Sequence, residues 1–131
     1  MGLRENNIDS EETYKYQESG TYTGMWKRDL KEGSGKMCWS DGSSYDGAWK
    51  SDVRHGYGTI IMSDGTLYVG DWENDLYHGR GKLIISTMYK GIDGKPLKKI
   101  FEGWFTNGQT PTEGKITYSD GTKGIYIGGH V

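Results

Sequence analysis

An all-β fold, an elongated single-layer antiparallel meander of β-hairpins curved into a trough, is what this 131-residue sequence predicts. Three observations predict it. Tyr22-Thr23-Gly24-Met25-Trp26 recurs 23 residues on as Tyr45-Asp46-Gly47-Ala48-Trp49, and again as Tyr68-Val69-Gly70-Asp71-Trp72. Each copy carries, seven residues after its Trp, a Gly-x-Gly: Gly33/Gly35, Gly56/Gly58 and Gly79/Gly81. Turn signatures, Ser40-Asp41-Gly42 and Ser63-Asp64-Gly65, then close the copies. A fixed period of this length marks an array of small units, and alternation bounded by Asp-Gly marks hairpins.

Taken in order, residues 1–11 form a polar leader and residues 12–131 the repeat domain. The leader lacks both a signal-peptide core and the Ser or Thr that myristoylation of Gly2 requires. A half-repeat over 12–21 supplies one strand through Tyr14 and Tyr16. Full copies start at 22, 45 and 68. A fourth starts at Phe101-Glu102-Gly103-Trp104-Phe105, with Thr112 and Gly114 at the Gly-x-Gly places and Ser119-Asp120-Gly121 at the turn. Residues 86–100 hold ten extra residues, expected as a longer hairpin turning at Asp93-Gly94, and a partial copy starts at 126. Within a copy, six-residue loops such as Lys50-Ser51-Asp52-Val53-Arg54-His55 are expected between strands, with type I′ turns at Asp-Gly. Apolar residues nowhere recur at helical spacing. The sum is about nine or ten strands.

Alternation divides the sheet into unequal faces. One face collects Tyr14, Tyr16, Tyr22, Trp26, Trp39, Tyr45, Trp49, Tyr68, Trp72, Phe101, Phe105, Tyr118 and Tyr126 together with many glycines. The other collects Thr23, Lys27, Lys36, Asp46, Lys50, Asp71, Glu73, Arg80, Lys82, Glu102 and Lys115. Glycine weakens a lone strand, but a ring from the next strand can cover its bare backbone.

Composition narrows the class. Glycine is 22 of 131 residues while proline is 2, which excludes collagen, and 13% aromatics are too many for an unfolded low-complexity chain. A net charge of −2 lacks the basic excess of a nucleic-acid binder. No apolar run approaches the roughly 18 residues of a transmembrane helix. Cys38 is the single cysteine, so no internal disulfide forms and a reducing, cytoplasmic compartment is expected.

The unit Tyr-x-Gly-x-Trp, loop, Gly-x-Gly, strand and Asp-Gly turn resembles the MORN repeat (membrane occupation and recognition nexus). Copies at 22, 45 and 68 match it nearly position by position, His55-Gly56 and His78-Gly79 included. The copy at 101 departs, with Phe for Tyr, Phe105 for Trp and Thr112 for the first Gly. The resemblance implies an elongated, twisted single-layer sheet of MORN-type hairpins. It also implies a family that includes junctophilins, plant phosphatidylinositol-phosphate kinases, ciliary radial-spoke head proteins and small cytoskeletal adaptors, with no catalysis in the repeats.

Catalytic and cofactor chemistry finds no support in the residues. His55 and His78 fall two strands, about 10 Å, apart, with no cysteine or acidic cluster to complete a metal site. Cys38 has no base beside it. The Gly-x-Gly pairs precede no helix, so they cannot cradle a nucleotide phosphate. The expectation is a protein that is not an enzyme and uses no cofactor or metal. It is read as a protein-binding scaffold or adaptor in a cytoskeletal or ciliary assembly, located in the cytoplasm with the cytoskeleton or in the axoneme. A partner peptide or helix would lie in an aromatic groove of Tyr22, Trp26, Tyr45, Trp49, Tyr68, Trp72, Phe101 and Phe105. The alternative is a peripheral membrane module that binds anionic phospholipid through basic residues, Lys90, Lys95, Lys98 and Lys99 of the insert above all. The unguarded apolar strand Ile125-Tyr126-Ile127 is a candidate edge for self-association.

Overall fold

Apolar alternation between turns leaves this chain one way to bury its rings, hairpin after hairpin in a single sheet. The structure is a computed structural model that describes residues 10–111 and 113–127. The first nine residues of the leader, Thr112 and Gly128 lie outside the described residues, as do the side chains of Ile125–Ile127. The strands are β1 Ser10–Tyr16, β2 Gly20–Lys27, β3 Leu30–Trp39, β4 Ser44–Lys50, β5 Val53–Ile61, β6 Leu67–Glu73, β7 Leu76–Lys90, β8 Pro96–Phe105, β9 Gly114–Tyr118 and β10 Lys123–Ile127. Each pairs antiparallel with the next, so spatial order is chain order from β1 to β10. Among the described residues there is no helix and no second layer. The result is an open, all-β trough. Ser10 and Glu11, assigned to the leader from sequence, pair with Trp26 and Met25 and belong to the sheet.

The connections differ from expectation. β4 and β5 are joined by Ser51 and Asp52 alone, not by a six-residue loop. Both have left-handed φ values, 48° and 73°, as do Arg28/Asp29 (55° and 67°) and Asn74/Asp75 (50° and 70°). Two positive φ angles make the type I′ turn, whose twist matches that of the strands it joins. Its second residue also clips onto the preceding copy. The Asp52 N–H donates to the Lys31 carbonyl at 2.9 Å, and the Lys31 N–H donates to Asp52 Oδ1 at 2.8 Å. Asp75 does the same with Arg54, at 2.9 and 2.7 Å. Asp therefore stands where glycine would be easier, because its carboxylate reaches the neighbouring strand.

At the Asp-Gly corners only glycine is left-handed; Gly42 has φ +97° and donates its N–H to the Trp39 carbonyl at 3.1 Å. The aspartate caps the turn instead, with Asp41 Oδ1 accepting the Ser43 N–H at 2.8 Å. Equivalent bonds hold Asp64 to Thr66 and Asp120 to Thr122, each at 2.9 Å. Hydrogen bonding from these Ser and Thr residues holds the carboxyls of Asp41, Asp64 and Asp120 below the usual carboxylate range. The extra residues of the third copy lengthen the β7–β8 hairpin, which turns through Gly91–Lys95 with the Gly94 N–H on the Gly91 carbonyl at 2.9 Å.

Two rows of residues cross the sheet side by side. Tyr14, Tyr22, Met37, Tyr45, Ile60, Tyr68, Leu83, Phe101 and Ile116 occupy mutually paired positions from β1 to β9. Beside them runs an unbroken glycine row: Gly24, Gly35, Gly47, Gly58, Gly70, Gly81, Gly103 and Gly114. The tyrosines lie on the glycines. A Cβ built on Gly35 would sit 1.9 Å from the Tyr22 hydroxyl oxygen, one on Gly58 2.1 Å from that of Tyr45, and one on Gly81 2.3 Å from that of Tyr68. No other residue type fits there. The first glycine of each Gly-x-Gly has a different task. Gly33, Gly56 and Gly79 take φ of +85°, +87° and +108° where the register with the preceding strand slips.

Candidate functional site: the ring face and the hairpin tip

The eight residues expected to line an aromatic groove do come together on one face, but their rings are not exposed. Tyr22, Tyr45, Tyr68 and Phe105 are 0% exposed, Trp26 and Trp49 5%, and Trp72 3%; Phe101 is half-buried. All but Phe101 form one edge-to-face chain. Tyr22 contacts Trp26 and Trp49 at centroid distances of 4.9 and 5.5 Å, Tyr45 contacts Trp49 and Trp72 at 5.0 and 5.2 Å, and Tyr68 contacts Trp72 and Phe105 at 5.2 and 5.0 Å. Polar atoms of the rings are satisfied too. The hydroxyls of Tyr22, Tyr45 and Tyr68 donate to the carbonyls of Met25, Ala48 and Asp71 at 2.9, 2.8 and 2.8 Å. The indole N–H groups of Trp49 and Trp72 donate to the carbonyls of Gly35 and Gly58, each at 3.1 Å. The fourth copy keeps the rings and, through Phe101 and Phe105, gives up both bonds.

A single-layer sheet buries these rings because the chain lays its own long side chains across them. Lys31 Nζ lies 5.1 Å from the Trp49 ring centre and 5.7 Å from that of Tyr22. The Arg54 guanidinium carbon lies 4.8 Å from Trp72 and 5.9 Å from Tyr45. Each cation is tethered to the aspartate of the next turn, Lys31 Nζ to Asp52 Oδ1 at 3.3 Å and Arg54 Nε to Asp75 Oδ1 at 2.9 Å. One copy further, Tyr77 replaces the cation and stacks on Tyr68 at 4.0 Å with the planes 13° apart. A partner lying in the trough therefore meets a second tier: Lys31/Asp52, Arg54/Asp75 and Tyr77. The sequence carries a signal for it. Asp29, Asp52 and Asp75 follow their Trp by three residues, and Lys31, Arg54 and Tyr77 recur at the 23-residue period.

Three depressions of about 270, 170 and 340 Å³ open on this face, and Arg54 borders all of them. Trp39, Ile60, Met62, Leu76 and Tyr77 supply their apolar walls. Burial pushes the Tyr45 hydroxyl up to about 12 and raises those of Tyr22, Tyr68 and Tyr77 as well. The native state thus holds tyrosine protons that the unfolded chain loses near pH 10. Stability from these groups is complete below pH 10 and is lost as pH rises towards the native values. An absorbance titration at 295 nm should leave Tyr22, Tyr45 and Tyr68 protonated at pH 11, and denaturant should bring all ten tyrosines to about pH 10. Complete native titration near pH 10 would contradict the buried arrangement.

The insert lysines do not form one patch. Lys98 and Lys99 are neighbours on β8 and alternate across it, and Lys99 Nζ sits 5.0 Å from the Phe101 ring centre on the ring face. Lys90 and Lys95 flank the hairpin end, where Met88, Tyr89 and Ile92 are 92%, 71% and 86% exposed. Asp120 braces that end by accepting the Ile92 N–H at 2.9 Å. Among the described residues no three His, Cys, Asp or Glu side chains gather as metal ligands. His78 is occupied by the backbone, its Nδ1 accepting the Asn107 N–H at 3.3 Å. Tyr126, the expected fifth start, pairs with Lys115 beyond a register shift, and its side chain lies outside the described residues.

A family model described as MORN repeat matches residues 22–44, 45–67 and 68–87, half of the chain. The chain belongs to the MORN-repeat family. No curated protein matches it. The copy at Phe101 lies outside the matched residues, yet β8 and β9 continue the glycine row through Gly103 and Gly114. MORN repeats are generally found in binding and scaffold proteins. In this MORN protein the recurring unit, Tyr-x-Gly-x-Trp, builds the sheet's interior, and residues between the units, Lys31, Arg54 and Tyr77, cover it.

Proposed function

We propose that this MORN protein is a non-enzymatic scaffold that holds an extended or helical segment of a protein partner along the ring face. The observation that carries the reading is the set of depressions that share Arg54, walled by Trp39, Met62, Leu76 and Tyr77 and reaching the Trp49 and Trp72 rings. Apolar walls with a few fixed charges are the make-up of a peptide groove. The Lys31–Asp52 and Arg54–Asp75 pairs would set polarity and register, because each presents a cation and an anion at known spacing. By family resemblance, a cytoskeletal or ciliary assembly in the cytoplasm is the proposed setting.

The test uses two residues that line the groove: Leu76, which is not part of the ring core, and Met62, which packs against its edge. Leu76 is 45% exposed and Met62 half-buried. Peptides selected on the wild-type protein from a displayed library should lose at least about tenfold in affinity on Leu76→Lys, with unchanged thermal melting, and should weaken also on Met62→Gln, which keeps the side chain's length. Undiminished binding to both variants would refute the groove.

The hairpin end supports a second reading, attachment to anionic phospholipid. Met88, Tyr89 and Ile92 beside Lys90 and Lys95 combine apolar bulk with positive charge, as interfacial segments do. Acids on the polar face, Asp46, Asp71, Glu73 and Glu102, dilute the field of its lysines, so contact would be confined to the hairpin end. Sedimentation with vesicles of phosphatidylserine and phosphatidylcholine across a salt series tests it. Binding that weakens with salt and disappears in Met88→Ser/Ile92→Ser supports attachment, and absence of binding at low salt refutes it. The outer edge of β10, last in the strand order, is proposed as the place where another repeat array pairs on.

A further inference from the structure

Two hollows of the ring face are the same hollow one copy apart, and they differ at one wall. The smaller, of about 170 Å³, is bordered by Trp49, Lys31, Asp52, Arg54 and Asp75. Its counterpart, of about 270 Å³, is bordered by Trp72, Arg54, Asp75, Tyr77 and Gly108. The near walls correspond, Lys31–Asp52 to Arg54–Asp75. At the far wall the ion pair Arg54–Asp75 gives way to Tyr77 and Gly108. Gly108 stands where a turn aspartate stood before: its N–H donates to the Tyr77 carbonyl at 2.9 Å, as those of Asp52 and Asp75 donate to Lys31 and Arg54. Only the return bond is missing. The Arg54 N–H donates to Asp75 Oδ1 at 2.7 Å, whereas glycine has no side chain to accept the Tyr77 N–H. Trp72 pairs with Tyr77 as Trp49 pairs with Arg54, so the same geometry turns the Tyr77 N–H away from β6 and towards Gly108. Among the described residues no other side chain accepts it.

We infer, on the strength of the groove proposed above, that the larger hollow takes an aspartate side chain of the protein partner. Its carboxylate binds the Tyr77 N–H as Asp75 binds that of Arg54, and an aliphatic neighbour rests on Met62 and Leu76. The chain itself places a carboxylate at the equivalent position in two copies, 2.8 and 2.7 Å from the N–H it caps. Ionised acceptors also make shorter and stronger bonds than neutral ones. Arg54 and Asp75, the charged groups bordering the hollow, are paired at 2.9 Å and leave an incoming anion unopposed. Asp52 and Asp75 border the smaller hollow together, so a second carboxylate beside Asp75 repeats an arrangement the fold already holds. Ile60, Met62, Trp72 and Leu76 give the neighbouring residue an apolar seat.

Short peptides test the assignment on the full chain. A displayed library with Asp fixed at its centre and apolar residues around it is selected on the wild type. The best binder is then synthesised with Asp or Asn at that place and with both termini blocked. The Asp peptide should bind at least about tenfold more tightly than the Asn peptide. Gly108→Asp should remove that difference, because the new carboxylate caps the Tyr77 N–H from within. Gly108 has φ +82° against +70° for Asp75, and a Cβ on it meets only Leu76 Cδ2, at 3.4 Å, so the variant should melt no lower than the wild type. The Tyr77 amide proton should move downfield when the Asp peptide is added to the wild type, a readout that stays decisive if Gly108→Asp folds poorly. Equal binding of the two peptides, an unmoved Tyr77 amide, or an Asp preference that survives Gly108→Asp overturns the assignment. The groove itself still stands in those cases if Leu76→Lys weakens binding. A library that yields no binder removes the groove and the aspartate site together.

Discussion

Trp49→Ala should cost about 3–5 kcal/mol of folding stability, the range for truncating a buried aromatic. Trp49 is 5% exposed, meets the Tyr22 and Tyr45 rings on either side, and donates its indole N–H to the Gly35 carbonyl. Removing it opens a gap between two copies, strands the Gly35 carbonyl, and leaves Lys31 without the ring it covers. Against a total stability of about 5–15 kcal/mol for an ordinary domain, such a loss brings the sheet close to unfolding. Urea denaturation followed by far-ultraviolet circular dichroism measures it. A change below about 1 kcal/mol would mean that the ring is peripheral. Any loss of partner binding in this variant reports the fold, which is why groove variants at Leu76 and Met62 are the ones that test binding.

Gly58→Ala is expected to be nearly as damaging although it adds one methyl group. That methyl would lie 2.1 Å from the Tyr45 hydroxyl oxygen and 2.4 Å from the ring carbon bearing it. Tyr45 is wedged between Trp49 and Trp72, so its ring cannot move without dislodging both. Overpacking of a filled core together with a lost Tyr hydroxyl bond gives about 3 kcal/mol. Gly42→Ala is the comparison. Nothing lies within 4 Å of its Cβ position, and only the left-handed φ of +97° opposes the change, which costs about 1 kcal/mol. Equal losses at the two positions, read from urea midpoints, would show that glycine here serves the backbone alone and that tyrosine does not use the space.

The repeat made most of this architecture legible. Tyr-x-Gly-x-Trp at 22, 45 and 68 places strands, period-two alternation assigns faces, and Asp-Gly places the corners, because each of these is a local property of the chain. What escaped reading was set by contacts between copies. The six-residue loops shrank to type I′ turns because Asp52 and Asp75 reach the preceding copy, a gain that local turn preference does not encode. The rings read as an open gutter because exposure was judged from one face without a covering layer. Lys31 and Arg54 supply that cover from within, and their tethers become visible only when side chains are placed. Tyr77 was overlooked because the period sets it where lysine and arginine stood before. An aliphatic stripe on the other face was missed for a similar reason. Ile61, Leu67, Ile84 and Ile100 are scattered along the chain and align only once four strands are in register.

Hydrogen exchange at the indole N–H groups probes the sealed ring layer most directly. In the free protein, the Trp49 and Trp72 indoles, each bonded to a glycine carbonyl, should exchange only through unfolding, at rates that track the urea-measured stability. The Trp104 ring, 50% exposed, should exchange freely in the same spectrum. Rapid exchange at Trp49 and Trp72 in the folded, partner-free protein would contradict the account, for it would mean that the rings are open and waiting for an occupant.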